Sequence, residues 1–482
     1  MRSELSTSGG VSDILSEPLF SRTGDGSRTG DGSRTGDVAL DRDPLRLAGP
    51  GKRFSLERLA LLLHGLPFEA EFPPECPWEG VVRHRPPLAL PPLGSSDESA
   101  LEDEFGAAVA RCLGDAESAV VLLSGGMDSW AVFVHALRQA EREGRRLSAV
   151  VWNLRDQFGR ATAGMVHRQL QALGISCDLH VLPAEWRELP EPAWSPLGPR
   201  HDYYTRLHQA TVDHAAAVGA TVLLSGQGGD EVLGAWNHLS APLARGRRWR
   251  DLRRYLAAFG RGDSLVEVAG EAAALVARRL PPQTSFQLYV ATALHEVVES
   301  GRPSVLTAAY EESVGNWTAS WLADRFESFR AAGGDWATAS LYDSIFPWAY
   351  DAHPLGAPIR QRSPFVDEGF VRYAFGLPPA SRFRAEGPYP YQWYKALHLR
   401  LLPAALRPLL PEYKQSYSDA FRRYVLDVLP EGPLLVEELG LIRPMDRLDL
   451  ERLHPRLPIV VRNVERWVAG ALEAGAEPVA AR

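Results

Sequence analysis

The chain has 482 residues, 45% hydrophobic and 23% charged, with a formal net charge of −8 at pH 7. It is long enough for two or three domains around a large core. The acidic balance argues against nucleic acid or an anionic membrane as the main partner, and no apolar run approaches the ~20 residues that span a bilayer.

The start of the chain lacks the basic-then-apolar layout of a signal peptide. Cys76, Cys112 and Cys177 form neither a disulfide framework nor a metal-ligand spacing. A reducing cytoplasm is the expected setting. Residues 1–45 read as a disordered tail with a tandem repeat, Arg22-Thr23-Gly24-Asp25-Gly26-Ser27 and onward to Asp37. Gly, Ser, Asp and Arg bury too little apolar surface to offset chain entropy. Over 46–96, Leu56, Leu59, Leu62 and Leu63 suggest a short helix, and Pro73-Pro74, Pro77 and Pro86-Pro87 enforce loops.

From Asp97 the pattern sharpens. The spacing predicts helices over 99–113, 128–142, 161–173 and 203–218, and short apolar strands over 119–123, 147–152, 177–182 and 221–224. This alternation specifies an α/β fold with an open parallel sheet, spanning 117–236, whose ligands sit at the carboxyl ends of the strands. After Trp236 the strand signals fade, and 237–482 reads as a helical C-terminal subdomain.

Two glycine-rich loops end strands of that sheet. The first is Ser124-Gly125-Gly126-Met127-Asp128-Ser129; the second is Ser225-Gly226-Gln227-Gly228-Gly229-Asp230-Glu231. A strand running into Ser-Gly-Gly puts backbone N–H groups and a helix N-terminus at one point, where glycine lets the backbone approach a polyanion. Ser124 and Ser129 add hydroxyl donors. Asp128 would repel phosphate unless Mg²⁺ stood between them. The alternative, a plain tight turn, accounts for Gly-Gly but not for the full Ser-Gly-Gly-x-Asp-Ser pattern.

The first loop resembles the pyrophosphate loop of the N-type ATP pyrophosphatases, the adenine nucleotide alpha hydrolase type of fold. The second resembles the Ser-Gly-x-Gly-x-Asp-Glu motif of the asparagine synthetase branch, with one extra residue before the acids. Arg362-Ser363-Pro364-Phe365-Val366-Asp367, Phe375-Gly376-Leu377-Pro378 and Lys414-Gln415-Ser416-Tyr417-Ser418-Asp419 resemble later motifs of that branch, in consistent order. The resemblance implies that ATP and Mg²⁺ are used. It implies that Asp128 and Asp230 hold the metal, and that Ser124, Gly125, Gly126 and Ser129 cradle pyrophosphate. Ser225 and Gly226 would contact the nucleotide and the activated substrate. Lys414 would steady the α-phosphate and the leaving pyrophosphate; without the resemblance it would read as a solvated surface lysine.

Two departures bear on the reaction. Met1 is followed by Arg2 and the first cysteine is Cys76, so the family's N-terminal glutaminase is not expected. Residues 46–96, through Trp78-Glu79-Gly80-Val81-Val82-Arg83, resemble only the tail of that domain. Arg360 stands where asparagine synthetases carry a glutamate that assists attack on the acyl-adenylate. Arginine cannot serve as a base, although it could hold a carboxylate or phosphate. Asp351, His353 and Tyr350 are candidate bases by local position, or polar residues at a helix end.

The nucleophile is therefore expected to belong to the substrate, as in β-lactam synthetases and the macrolactam synthetases that close lasso peptides. The forms around Arg362 and Lys414 look most like lasso peptide cyclases. That implies adenylation of an Asp or Glu side chain in a precursor peptide and attack by its own α-amine, with a leader peptidase and a leader-binding protein as partners. A ligase joining a small acid to ammonia or a small amine is the alternative. A nucleotide-binding protein without chemistry is a third reading, disfavoured by intact Asp128, Asp230 and Lys414. Arg245, Arg247, Arg248, Arg250, Arg253 and Arg254 read as a solvated helix face, with peptide docking second. Aromatics such as Trp348, Tyr389, Tyr391, Trp393 and Tyr394 read mostly as core, some as lining for a peptide cavity.

Overall fold

A computed structural model describes residues 19–22, 27–28, 34–35, 43–48, 51–64, 76–84, 91–183, 188–189, 191–200, 204–235, 237–259, 265–294, 304–331, 333–345, 359–417, 432–446, 449 and 457–480. Its centre is a five-stranded parallel sheet built from β1 (Ser118–Leu122), β2 (Arg146–Trp152), β3 (Asp178–Leu182), β4 (Val222–Leu224) and β5 (Arg360–Arg362), in the order β5-β4-β1-β2-β3. All neighbouring pairs are parallel. The central strands are near-continuous apolar runs because helices cover both faces. Val121, Ala149, Val222 and Leu224 enter one core, and Val120, Val150 and Leu223 enter another on the opposite face.

The helices fall where their spacing predicts. They are α1 (Leu101–Leu113), α2 (Met127–Glu143), α3 (Thr162–Leu173) and α4 (Thr205–Ala217). Chain order runs β1-β2-β3 in one direction, then returns to place β4 on the other side of β1. That reversal is a topological switch point, where a crevice opens at the strands' carboxyl ends. Both glycine loops leave from it, the first after β1 and the second after β4.

The fifth strand corrects the expectation that strands end near residue 236. Arg360-Gln361-Arg362 has no apolar run to announce it; its hydrogen bonds to β4, with Arg362 beside Leu224, make it a strand. Beyond the sheet, helices over Trp249–Phe259, Leu265–Val276, Pro282–Thr292, Ala308–Ala331 and Trp336–Ile345 dominate.

The segment before Asp97 packs into the body. The helix Leu56–Leu63 shares a core with Val314 and with Val461, Val464 and Trp467 of the late helix Leu457–Glu473. Arg53–Ser55 pairs in parallel with Glu477–Val479. Within the tail expected to be disordered, Leu19–Arg22 pairs with Val81–His84, and Ser27–Arg28 with Arg34–Thr35. Backbone ladders of this kind need no apolar repeat, so composition alone did not announce them.

Candidate functional site

The first loop is a self-bonded turn. Ser129 Oγ accepts from Ser124 N at 3.1 Å, donates to Gly126 O at 3.1 Å and lies 3.0 Å from Ser124 Oγ. Gly125 adopts φ 77°, a left-handed conformation natural to glycine. Gly126 stands at the cap of helix α2 and offers it no side-chain hydrogen bond. Its first N–H groups are thus left for an anion, with the helix dipole behind them. Buried Gln169 of α3 accepts from Trp130 Nε1 at 2.7 Å and donates to Gly125 O at 3.2 Å, which fixes the turn from behind.

The second loop is pressed against the first. A Cβ on Gly226 would lie 2.6 Å from Ser129 N and 2.8 Å from Asp128 C; one on Gly229 would lie 2.8 Å from the Asp128 carboxylate. These glycines let two loops meet. The Arg362–Asp367 stretch supports them: Ser225 N donates to Arg362 O at 3.0 Å, and Ser363 Oγ donates to Gln227 O at 2.5 Å. Buried Asp367 accepts from Arg111 Nη2 at 2.5 Å and from Phe370 N at 3.0 Å, so this acid is structural.

The contact brings Asp128 and Asp230 onto one cation, Lys395. Its Nζ lies 2.6 and 2.8 Å from the two Asp128 oxygens and 2.5 Å from Asp230 Oδ1, with the side chain only 2% exposed. Lys414 Nζ meets Asp230 Oδ2 at 3.1 Å from the outside, 71% exposed. His398 Nε2 lies 2.8 Å from Asp128 Oδ1 and 2.9 Å from Gly229 O. Both neighbours are acceptors, so that nitrogen carries the proton. Among the described residues the buried Nδ1 has no hydrogen-bond partner.

Charge balance follows from this packing. Burial raises the Asp128 carboxyl, but Lys395 and His398 outweigh it and hold it below the usual range. Burial likewise raises Asp230, and Lys395 and Lys414 outweigh it. Burial lowers Lys395, yet Asp128 and Asp230 drive it above the ordinary lysine value. Burial and Lys395 lower His398 and favour the neutral ring. Glu231 goes the other way: burial, with Asp230 beside it, pushes its carboxyl up to about 7. Burial also raises the Tyr391 hydroxyl, which senses the same charges.

The sequence-derived residues Ser124, Gly125, Gly126, Asp128, Ser129, Ser225, Gly226, Asp230 and Lys414 thus converge. Asp351, His353 and Tyr350 lie outside the described residues. Arg360 does not join the site. It opens β5 beside Val222, and its Nη2 lies 2.9 Å from Asp115 Oδ1, in the loop that precedes β1. A strand's residues are about 3.3 Å apart, so two positions back from Arg362 is a full layer below the loops. The pair is solvent-exposed, so Arg360→Ala should leave steady-state kcat/KM within about twofold of wild type.

Sequence reading missed Lys395, His398 and Gln169. The one available signal is the i, i+3 pair of Lys395 and His398 around an otherwise apolar turn.

The six-arginine cluster divides. Arg245 pairs with Asp335, Arg248 with Asp251, and Arg254 lies over the Trp393 ring. None of the three cysteines is joined in a disulfide. Among the described residues no helix is long and apolar enough to cross a membrane.

No curated protein matches the chain. Among solved structures, the U34-tRNA thiolase NcsA from Methanococcus maripaludis with its 4Fe-4S cluster is similar at 13% identity over 52% of this chain and 80% of that one, with a TM-score of 0.22. The family described as asparagine synthase matches residues 100–415, which take in both loops, Lys395 and Lys414. That is well over half of the chain: it belongs to the asparagine synthase family, whose members are ATP-dependent ligases.

Proposed function

We propose that this ligase adenylates a side-chain carboxylate of a linear peptide and closes a macrolactam by attack of the peptide's own α-amine. The observation that carries the reading is an assembled Asp128–Lys395–Asp230–Lys414 array beside an Arg360 turned away to Asp115. Activation machinery is present, while the position at which the family carries its assisting glutamate holds a cation outside the site.

In the first half-reaction the substrate carboxylate attacks the α-phosphorus of ATP and pyrophosphate leaves. The Ser124–Ser129 turn and the uncapped start of α2 bind the departing phosphates. Lys414, exposed and on the open side of Asp230, is free to swing onto them. The point 2.5–2.6 Å from both carboxylates is held by Lys395 Nζ, so these hard oxygen donors would take Mg²⁺ outside that point, on the side open to phosphate. Among the described residues no third His, Cys, Asp or Glu completes a cage, which suits an ion that takes its other oxygens from phosphate and water. When bound, Mg²⁺ would supply charge neutralisation on the phosphate oxygens. Lys395 keeps Asp128 and Asp230 ionised and apart from each other's repulsion.

In the second half-reaction the amine nitrogen attacks the acyl carbon, a C–N bond forms, AMP leaves and the amine loses a proton. Tethering amine and acyl group in one molecule supplies an effective concentration that lessens the need for a strong base. Incubation with MgATP and a linear peptide bearing a free α-amine and an internal Asp or Glu is expected to release AMP and pyrophosphate and give a product lighter by one water. Formation of ADP, or AMP release that requires ammonium and ignores peptide, would sink this reading.

A further inference from the structure

Two of the large exposed apolar side chains flank Lys414. Phe158 is 57% and Tyr413 58% exposed, with ring centroids 5.9 Å apart at 49°. Tyr413 directly precedes Lys414, and Phe158 directly follows Gln157. The Gln157 amide donates to Lys414 O at 2.9 Å and accepts from Ser416 N at 2.7 Å, so one side chain ties the lysine segment to the loop after β2. Tyr417 adds a contact of 3.1 Å to Thr162 Oγ1.

The loop that carries Phe158 is well braced. Buried Asp156 accepts from Phe158 N, Arg160 N and Arg160 Nε, each at 2.9 Å. The Arg160 guanidinium lies over the Phe158 ring, 4.9 Å from its centroid. Two aromatic faces are thus held open to water by a bonded framework, beside two cations, at the edge of a carboxylate-activating site. Solvating such faces is unfavourable, and folding alone gives no reason for it. The arrangement suits a ligand that presents an apolar face and a carboxylate together. Phosphates are already served by the glycine loops, and a small acid held there would not span to the rings as well.

We propose that Phe158 and Tyr413 form an outer platform for the peptide substrate. It receives an apolar or aromatic side chain close in sequence to the carboxylate being activated, while the half-exposed Arg160 guanidinium, beyond its Nε bond to Asp156, draws that carboxylate inward. Gln157 is the positioning residue that joins platform to lysine. The inference rests on the peptide-ligating reading of the site.

The test uses the full chain, MgATP and linear peptides with a free α-amine and one internal Asp or Glu. Each peptide carries either Phe or Ser beside the acid; AMP release and loss of one water are followed. Wild type is expected to favour the Phe peptides by roughly 10-fold in kcat/KM. Phe158→Ser and Tyr413→Ser should erase that preference through KM for peptide, with KM for ATP moving less than about twofold. Phe158→Leu should keep part of it. Peptide turnover with the preference intact in both serine variants overturns the platform alone. A rise in KM for ATP instead assigns the rings to the nucleotide and also overturns it. A wild type that turns over no peptide overturns the peptide-ligating reading, and the platform falls with it.

Discussion

Lys395→Met is expected to cut ATP-dependent turnover by about 10³-fold and to lower stability by about 3–5 kcal/mol at neutral pH. Lys395 is almost fully buried and neutralises Asp128 and Asp230 together. Methionine fills a similar volume but leaves two carboxylates facing each other beside His398 and the outer Lys414. Removing one partner of a buried pair costs far more than the pair contributes, because the orphaned charge stays desolvated.

The pH dependence follows in sign. In the wild type both carboxyls titrate below the ordinary aspartate value of about 3.9, so they add stability above that pH and lose it as pH falls through their lowered values. Without Lys395, burial raises them, and their ionised forms become a penalty above that pH. The gap in thermal unfolding between variant and wild type should be wide at pH 7 and close on acidification. Added Mg²⁺ should raise Tm more in the variant than in the wild type, since the ion can take the place of the lysine charge. A gap that does not vary with pH would mean Lys395 acts through packing alone.

Gly226→Ala is expected to lower turnover by about 100-fold with a stability loss of about 1–3 kcal/mol. The new methyl would meet Ser129 N at 2.6 Å and Asp128 C at 2.8 Å. Those are backbone atoms at the first turn of α2, braced by the Ser124–Ser129 bonds and by Gln169. Neither side can yield by a rotamer change, so the loops must part and carry Asp128 away from Lys395. Gly174→Ala is the control. Gly174 has φ 64° and open space around its Cβ direction, at the end of α3. It should cost about 1–2 kcal/mol through backbone strain and leave kcat/KM unaltered. Equal activity losses in both variants, measured at a temperature where each is folded, would show that loop contact is not the cause.

Much of this protein was legible before its structure. The apolar runs that became β1, β4 and the later half of β2 are buried on both faces, and such strands must be written in Val, Leu and Ala; β3, at the sheet's edge, leaves Val181 exposed. The Ser-Gly-Gly-x-Asp-Ser turn declares itself for the same kind of reason: its chemistry is local, set by backbone N–H groups, two hydroxyls and a helix start within six residues. Periodicity and turn chemistry act over a few residues, so the chain alone determined β1 to β4 and the helices between them, and placed a glycine-rich loop after β1 and another after β4; β5 it did not announce.

Only the tertiary structure could decide what those acids face. Lys395 reads as any lysine at a helix start, and it becomes the hub because residues 267 apart in sequence meet at one point. Arg360 looked like a site residue from its place in the motif that the chain resembles, yet its strand register directs it to Asp115. The Gly226 and Gly229 contacts are also long-range, made between loops from different strands. A desolvated charge is defined by what surrounds it, and those surroundings come from every part of the fold at once.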